Sequence, residues 1–320
     1  MAKYRTGLPQ LTGKVFLADG GLETTLIFHD GLDLPEFAAF DLLKNDEGRG
    51  YLENYYLKYI ELAHRYDAGF ILESATWRAS ADWAERIGYS DRELEDLNHK
   101  SIDMLVDLRD RHETVTSPMV ISGCVGPRGD GYDPAELLTE RDAEDYHAVQ
   151  IGTFADSAAD MISAITMTHS AEAIGIARAA AAAGMPSVIS FTVETDGCLP
   201  TGQPLKEAII EVDSATDHAP AYFMINCAHP DHFEDAVSGG ASWLDRIGGI
   251  RANASRMSHA ELDQAEELDD GNPVEFGHQY GELRARLNNL RVVGGCCGTD
   301  HRHIEEICKT FAVPQHTGAA

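Results

Sequence analysis

The sequence predicts an α/β fold of the (β/α)8 TIM-barrel type. Eight short β-like runs alternate with longer helical segments along the 320 residues, which is the pattern of eight strand–helix units. The first run ends in Asp19-Gly20-Gly21-Leu22, which lacks the Gly-x-Gly-x-x-Gly spacing of a doubly wound dinucleotide fold. The predicted strands cover residues 15–18, 70–73, 119–122, 161–165, 187–191, 222–225, 247–251 and 291–293.

Helical spacing is clearest in three of the segments between these strands. Residues 51–66 carry an aromatic and aliphatic stripe, which includes Tyr55, Tyr56 and Tyr59 and which we interpret as packing. Residues 93–109 repeat leucine and isoleucine in a similar way. Residues 171–183 are nearly all helix formers, and the following glycine and proline end that helix.

The chain is expected to form one barrel domain over residues 1–320, because it contains no linker, low-complexity segment or clear repeat. Residues 30–50 are predicted to be a loop-rich insertion after the first strand. No apolar stretch approaches the roughly eighteen residues that span a bilayer, and residues 1–10 lack the apolar core of a signal peptide. We therefore expect a cytoplasmic protein; the sequence leaves its oligomeric state open.

A formal net charge of −28 argues against nucleic acid and anionic membranes as partners, because both require basic patches. The acidic residues are spread over helices, in runs such as 91–96, 136–145 and 261–270, and do not form one tail. We interpret these runs as solvated helix faces. Such a surface suggests solubility in a salty environment.

Two cysteine motifs carry the chemistry of the chain. The string Gly294-Gly295-Cys296-Cys297-Gly298-Thr299 follows the last predicted strand, and Cys227 follows another strand in Asn226-Cys227. Adjacent cysteines have little value in packing, but as thiolates they bind a soft metal ion together. Three thiolates without a fourth protein ligand leave one position of a tetrahedral zinc ion open, which is the mark of a catalytic zinc site.

The glycines beside the cysteine pair, Gly294, Gly295 and Gly298, are expected to let the backbone turn sharply, so that both thiols face one point. The other three cysteines, Cys124, Cys198 and Cys308, are interpreted as small apolar core residues of a reduced protein. In a barrel the site forms at the carboxyl ends of the strands. Asp19, Glu73 and Gly123 fall at such ends, as do the cysteine motifs.

These motifs resemble the homocysteine S-methyltransferase family of zinc-dependent (β/α)8 barrels, over residues 15–307. The resemblance rests on Asp19-Gly20-Gly21, residues 76–80 (Thr-Trp-Arg-Ala-Ser), residues 123–127 (Gly-Cys-Val-Gly-Pro), Ile225-Asn226-Cys227 and the double-cysteine string. It implies that Cys227, Cys296 and Cys297 bind Zn²⁺. It also implies that Asp19 and Gly20 line an amino-acid pocket, with which we group Asn226.

One position departs from the family pattern. Members usually carry Glu-Thr at the end of the fourth strand, where the glutamate helps to hold the ammonium of homocysteine, but this chain has Ile165-Thr166. Isoleucine accepts no hydrogen bond, and the loss of a charge-assisted bond costs roughly 1.5–3 kcal/mol. Glu73 is a candidate replacement at the end of the second strand, although it is equally an ordinary strand-end charge.

Other residues near the expected site have competing interpretations. Trp77 is a candidate contact for an onium methyl donor, because aromatic faces attract such cations. His301 and His303 follow Thr299 and Asp300, which are expected to cap a helix, so we interpret both as surface helix residues. The role of His229, two residues beyond Cys227, is left open.

The resemblance implies a zinc-dependent methyltransferase of methionine biosynthesis, which methylates homocysteine to methionine. The donor would be an onium compound such as S-methylmethionine, S-adenosylmethionine or a betaine. A corrinoid or folate donor would have to come from a separate protein. Two alternatives remain: the same chemistry on another thiol or a selenol, motivated by Ile165, and a zinc-binding barrel without catalysis.

Overall fold

The computed structural model describes residues 1–132 and 137–312. Eight parallel strands close a barrel in sequence order, and the first strand pairs with both the second and the last. The strands are β1 Phe16–Leu17, β2 Gly69–Glu73, β3 Met119–Val125, β4 Met161–Met167, β5 Ser187–Phe191, β6 Pro220–Asn226, β7 Ile247–Ala252 and β8 Val292–Gly295. The predicted barrel is confirmed, and the largest shift of a single strand end is that of β3, which continues to Val125 instead of ending at Ser122.

Helices surround the barrel between successive strands. They are α1 Leu22–Thr24, α2 Asp46–Arg65, α3 Ala81–Arg86, α4 Asp91–His112, α5 Glu140–Ala155, α6 Ser170–Ala182, α7 Leu205–Thr216, α8 Pro230–Phe233, α9 His259–Asp263, α10 Pro273–Arg286 and α11 His301–Ala312. The three helices predicted from periodicity correspond to α2, α4 and α6. Helix α4 starts with a capping box between Ser90 and Glu93, and Gly184, at φ +67°, follows the end of α6.

The segment predicted as a loop-rich insertion, residues 30–50, has more structure than expected. It contains two short 3-10 helices, Pro35–Phe37 and Ala39–Lys44, and the first turn of α2. The reason is local: Phe40 is buried, and the Asn45 side chain accepts a 2.9 Å hydrogen bond from the Gly48 amide. That bond caps α2 earlier than the apolar stripe alone indicates.

Two apolar layers build the core. Inward-facing strand residues such as Ile71, Val120 and Val188 fill the barrel, and the alternate strand residues pack under the helices. The tyrosine stripe of α2 is buried in the outer layer, as predicted. Its hydroxyls also reach the barrel mouth, because Tyr55 donates to Asp19 at 3.1 Å and Tyr56 donates to the Glu73 carbonyl at 2.6 Å.

The surface bears out only part of the interpretation of the acidic runs. Asp91, Glu95 and Asp96 are exposed on α4, as expected of a solvated face. The run at 261–270 is also exposed at Glu261, Asp263, Glu266 and Glu267, but its helix ends at Asp263, and some of its side chains line the cavity described below. No helix in the described part of the chain is long and apolar enough to cross a bilayer.

Candidate metal and substrate site

Three cysteines meet at the carboxyl end of the barrel. Cys227 directly follows β6, while Cys296 and Cys297 directly follow β8. Their sulfur atoms all lie within 4.8 Å of one another, and the Cys227 and Cys296 sulfurs are 2.7 Å apart. Residues about seventy positions apart in the sequence therefore form one cluster of soft donors.

An unusual backbone conformation presents the first of these thiols. Cys227 has φ +54°, and Thr166, on the neighbouring barrel wall, has φ +67°, which is rare for a β-branched residue. The Asn226 side chain stabilises the Thr166 conformation, because its oxygen accepts from the Thr166 amide at 3.0 Å and its nitrogen donates to the Thr166 hydroxyl at 2.8 Å. Asn226 is fully buried, so the geometry favours a positioning role over direct contact with substrate.

The glycines beside the cysteine pair act mainly through close packing. Only Gly298 has a positive φ, at +78°. A Cβ on Gly295 would lie 1.9 Å from the Thr299 hydroxyl oxygen, and one on Gly294 would lie 2.7 Å from the Ala18 Cβ. The expectation that all three glycines provide a sharp turn is therefore correct for Gly298 and wrong for the other two.

The electrostatics of the cluster suit a cation. Hydrogen bonds from Cys227 and then Cys297 lower the pKa of Cys296, with help from the Arg251 charge. The hydrogen bond to the Cys227 thiol, the nearby Cys296 charge and burial raise the pKa of Cys297. Cys227 is buried and the other two cysteines are partly buried, so the three thiols are close enough to stabilise negative charge on one of them by hydrogen bonds. Thiolates are the donors that bind zinc most readily in sites of this type, so these residues fit a zinc ion.

A cavity of about 400 Å³ opens above the cysteines. Its size is that of a small-molecule site. The predicted residues Asp19, Gly20, Glu73 and Trp77 line it together with the three cysteines and Ile165. Its other walls include Leu22, Glu23, Phe28, Phe37, Arg78, Tyr132, Thr166, Arg251, Leu262, Asp263, Glu267, Leu268 and Asp269.

Arg251, at the end of β7, is a central residue that the sequence analysis missed. Its guanidinium forms an ion pair with Asp19 and lies 3.4 Å from a Glu73 oxygen, and it donates to the Gly295 carbonyl at 3.1 Å. All three ionic side chains are buried. The two carboxylates expected to hold a substrate ammonium therefore already face a cation of the protein itself.

Glu73 keeps some capacity for a ligand in spite of this ion pair. Its Oε1 atom has no hydrogen-bond partner among the described residues. Burial raises the pKa of Glu73 to about 7, and the Arg251 charge opposes that shift. Glu73 is thus a buried carboxyl group of the cavity wall, and its role as a substrate contact stays a prediction.

Trp77 lies where expected, but its ring already carries a charge. Its indole nitrogen donates to the Ile165 carbonyl at 3.1 Å. The Arg78 guanidinium lies over the ring, 4.2 Å from its centroid. That contact is itself a cation–π interaction, so the ring is less available to an onium donor than the sequence suggested.

Tyr132 covers the cysteines from the side of the cavity. Its hydroxyl lies 3.7 Å from the Cys227 sulfur and 3.6 Å from the Cys297 sulfur. Its ring stacks on His259 at 4.2 Å between centroids, and His259 contacts the Cys227 carbonyl at 2.6 Å. Neither residue was predicted, because Tyr132 lies in a loop and His259 begins the short helix α9, and no sequence motif specifies where either segment runs.

The histidines near the motifs do not join the cluster. His301 is exposed, as expected, but His303 is buried, so its interpretation as a surface residue is wrong. His303 contacts the Asp270 carbonyl at 2.8 Å, and Asp300 caps α11 by accepting from the Arg302 amide. His229 is buried and caps α8, because its ring nitrogen accepts from the Asp231 amide at 3.2 Å.

The remaining cysteines follow their interpretation in two of three cases. Cys124 and Cys308 are buried, whereas Cys198 is only partly buried and is not a core residue. Cys124 also contributes to the cavity wall. Burial raises the pKa of its thiol well above the ordinary range, so this cysteine remains protonated.

A (β/α)8 barrel with three clustered cysteines beneath a cavity at its carboxyl end has the construction of a metal-dependent barrel enzyme. The family model described as homocysteine S-methyltransferase matches residues 16–311. The chain therefore belongs to the homocysteine S-methyltransferase family, and it is a methyltransferase.

Named relatives agree with this assignment. The chain is 26% identical to the selenocysteine Se-methyltransferase of Brassica oleracea var. italica, over 93% of this chain and 89% of the relative. It is 22% identical to homocysteine S-methyltransferase 1 of Arabidopsis thaliana, over 93% of both chains. The metallated form of the Escherichia coli homocysteine methyltransferase MmuM has a similar fold, with a TM-score of 0.73 at 18% identity, over 96% of this chain and 99% of MmuM.

Proposed function

We propose that this protein is a zinc-dependent S-methyltransferase that transfers a methyl group from an onium donor to a thiol acceptor, with homocysteine as the first candidate acceptor. The observation that carries the proposal is the convergence of Cys227, Cys296 and Cys297 at the floor of a substrate-sized cavity. The proposal places this chemistry in methionine synthesis, in the cytoplasm.

The three cysteines would hold Zn²⁺ as thiolates. Zinc, when bound there, lowers the pKa of an acceptor thiol so that its sulfur reacts as a thiolate at neutral pH. Asn226 supports Thr166 and the backbone that leads into Cys227. The cavity walls align the two substrates, which is the main contribution that a rigid barrel makes to a bimolecular transfer.

The chemical step balances without a further reactant. The acceptor thiol gives up its proton to solvent, and its sulfur then attacks the methyl carbon in line with the leaving group, so that a sulfur–carbon bond forms. The bond from that carbon to the onium centre breaks, and its electron pair neutralises the donor. The acidic rim, which includes Asp263, Glu267 and Asp269, favours entry of a positively charged donor.

A second candidate acceptor is a different thiol or a selenol. Ile165 contributes an apolar surface to the cavity where the family uses a carboxylate, and Arg251 occupies the carboxylates Asp19 and Glu73. The Brassica relative is named for a selenocysteine reaction. A barrel without catalysis is less well supported, because all three candidate ligands and the cavity are present.

The proposal is tested by metal analysis followed by a methylation assay. Purified protein is expected to contain about one zinc per chain. Homocysteine, selenocysteine and a simple alkyl thiol would each be offered with S-methylmethionine, S-adenosylmethionine and betaine. Methylation of homocysteine supports the first candidate and methylation of another acceptor alone supports the second. No transfer in any combination rejects the proposal.

Two variants test how the acceptor is held. Glu73→Gln removes the charge of the carboxylate with a free oxygen, and we expect it to raise the KM for homocysteine about tenfold or more. Zinc content should be unchanged.

If the natural acceptor lacks an ammonium, Ile165→Glu should instead improve the use of homocysteine and impair the use of the natural substrate, while Ile165→Leu serves as the apolar control. If Glu73→Gln leaves the KM for homocysteine unchanged and Ile165→Glu does not improve its use, this account of the pocket is wrong.

Removal of the metal is expected to leave the barrel folded. The three cysteines lie just beyond the strand ends. The apolar layers of the core are formed by other residues. Far-UV circular dichroism before and after chelation should therefore show the same helix signal, while activity is lost and returns with added zinc. A collapse of the helix signal on chelation would show that the metal is structural.

A further inference from the structure

Arg78 is a buried cation in the cavity wall that the proposed chemistry does not use. It follows Trp77 in the loop between β2 and α3, and only 8% of its surface is exposed. Its guanidinium lies over two indole rings, 4.2 Å from the Trp77 centroid and 3.5 Å from the Trp83 centroid. The two tryptophans therefore fix the position of the charge beside the cavity.

The polar contacts of Arg78 are too few for a buried guanidinium, which has five N–H donors. One terminal nitrogen donates to the Gly129 carbonyl at 3.3 Å, and the other lies 3.7 Å from Asp130, beyond hydrogen-bond distance. The Nε atom has no partner among the described residues. Burial lowers the pKa of Arg78 to about 10, in keeping with incomplete compensation of its charge.

Arg251 provides the comparison within the same cavity. It is equally buried, but it faces two carboxylates and donates to two backbone carbonyls. Its charge therefore meets two buried carboxylates, whereas Arg78 has one longer ion pair, at 3.7 Å, with the half-exposed Asp130. A buried, under-compensated guanidinium at a cavity wall gains most from an anion brought by a ligand.

We propose that Arg78 binds the carboxylate of one of the two substrates of methyl transfer. A guanidinium fork matches a carboxylate in shape and charge. Glu23 lines the same cavity, and no ion pair with it is formed within the described residues. One anionic and one cationic wall suit the zwitterionic amino-acid group that homocysteine and S-methylmethionine both carry. The identity of these substrates rests on the proposed function. The inference that Arg78 binds an anion rests instead on its burial and its few polar contacts.

The test compares ligands that differ only in the carboxylate. Homocysteine is paired with its decarboxylated analogue aminopropanethiol, and S-methylmethionine is paired with its own decarboxylated analogue. Binding of all four to the full, metal-loaded chain is measured by titration calorimetry. Arg78→Gln is expected to weaken the carboxylate-bearing member of one pair about tenfold or more and its analogue by much less. Selective loss of homocysteine identifies the acceptor carboxylate, and selective loss of S-methylmethionine identifies that of the donor.

Arg86→Gln is the matched control. Arg86 also lies over the Trp83 ring, at 4.2 Å, but it is exposed and does not line the cavity, so all four affinities should be unchanged. Arg78→Lys keeps the charge without the fork and should recover part of the selective binding, and it carries the test if thermal unfolding shows that Arg78→Gln is misfolded. Equal weakening within both pairs, or none, overturns the proposal.

The same titrations separate this inference from the proposed function. Selective loss of carboxylate binding in a protein that transfers no methyl group to any of the thiols would support Arg78 as the anion site and reject the proposed zinc-dependent transfer to a thiol. If the protein transfers methyl groups but Arg78→Gln weakens both members of each pair equally, the proposed function is supported and the Arg78 proposal is overturned.

Discussion

Replacing Cys296 by alanine is expected to remove bound metal and methyl transfer together. The side chain is one of the three clustered thiols, its sulfur lies 2.7 Å from that of Cys227, and hydrogen bonds from the other two thiols lower its pKa. Loss of one of three ligands should weaken zinc binding by at least the order of a hundredfold, the upper effect of losing a supporting residue. Metal content by atomic absorption and the methylation rate would be measured on the same preparation.

Cys198→Ala is the control for this result. Cys198 is partly exposed and lies outside the cluster, so its substitution should change neither metal content nor rate. If Cys296→Ala retained one zinc per chain and full activity, the assignment of the metal site to these cysteines would be wrong.

Replacing Arg251 by methionine should produce the largest loss of stability. The variant leaves Asp19 and Glu73 buried at the barrel mouth without their shared cation. Breaking a buried ion pair from one side costs about 3–5 kcal/mol. Urea unfolding near pH 8 should show a loss of that size, and adding Asp19→Asn to the variant should recover part of it because one unpaired charge is removed.

The loss should also depend on pH. Burial already raises the pKa of Glu73 to about 7 with Arg251 in place, and it raises the pKa of Asp19 against the opposing Arg251 charge. Without Arg251 both values rise further above those of the unfolded chain, which are near 4. A carboxyl with a raised folded-state pKa favours folding at low pH, and that contribution is lost as the pH rises through the raised value. The variant should thus be closest to the unaltered protein near pH 5; a loss that is constant from about pH 5 to pH 8 would contradict this account.

The barrel and the cysteine cluster could be predicted because each leaves a local mark in the sequence. Strand and helix periodicities are set by residues that are neighbours in the chain. Cys227 and Cys296 needed only the rule that parallel strands place their carboxyl ends at one mouth. Residues 30–50 were harder, since their short helices depend on the burial of Phe40 and the cap by Asn45.

The partners inside the cavity could not be predicted, because they depend on which side chains meet across the barrel. In the sequence alone, Arg251 is an ordinary residue at a strand end. Only the register of the strands places it beside Asp19 and Glu73. His303 reads as a surface residue until Asp270 is brought against it. Arg78 stood inside a recognised motif, yet only its enclosure by two tryptophans and its shortage of acceptors distinguish it from a surface arginine.

The position of Tyr132 has a consequence for affinity. Its hydroxyl lies against two of the three sulfurs and its side chain lines the same cavity, so an acceptor sulfur bound there as proposed would compete with it for space. Because Tyr132 is part of the chain, it competes with the acceptor for this space at a local concentration that does not depend on the amount of substrate. The apparent dissociation constant of an acceptor is then its intrinsic value divided by the fraction of molecules in which the tyrosine has moved aside. Under the proposed function, affinity for the acceptor would therefore depend partly on the rotamer equilibrium of Tyr132, and substitutions that shift its stack on His259 would change that affinity without contacting the substrate.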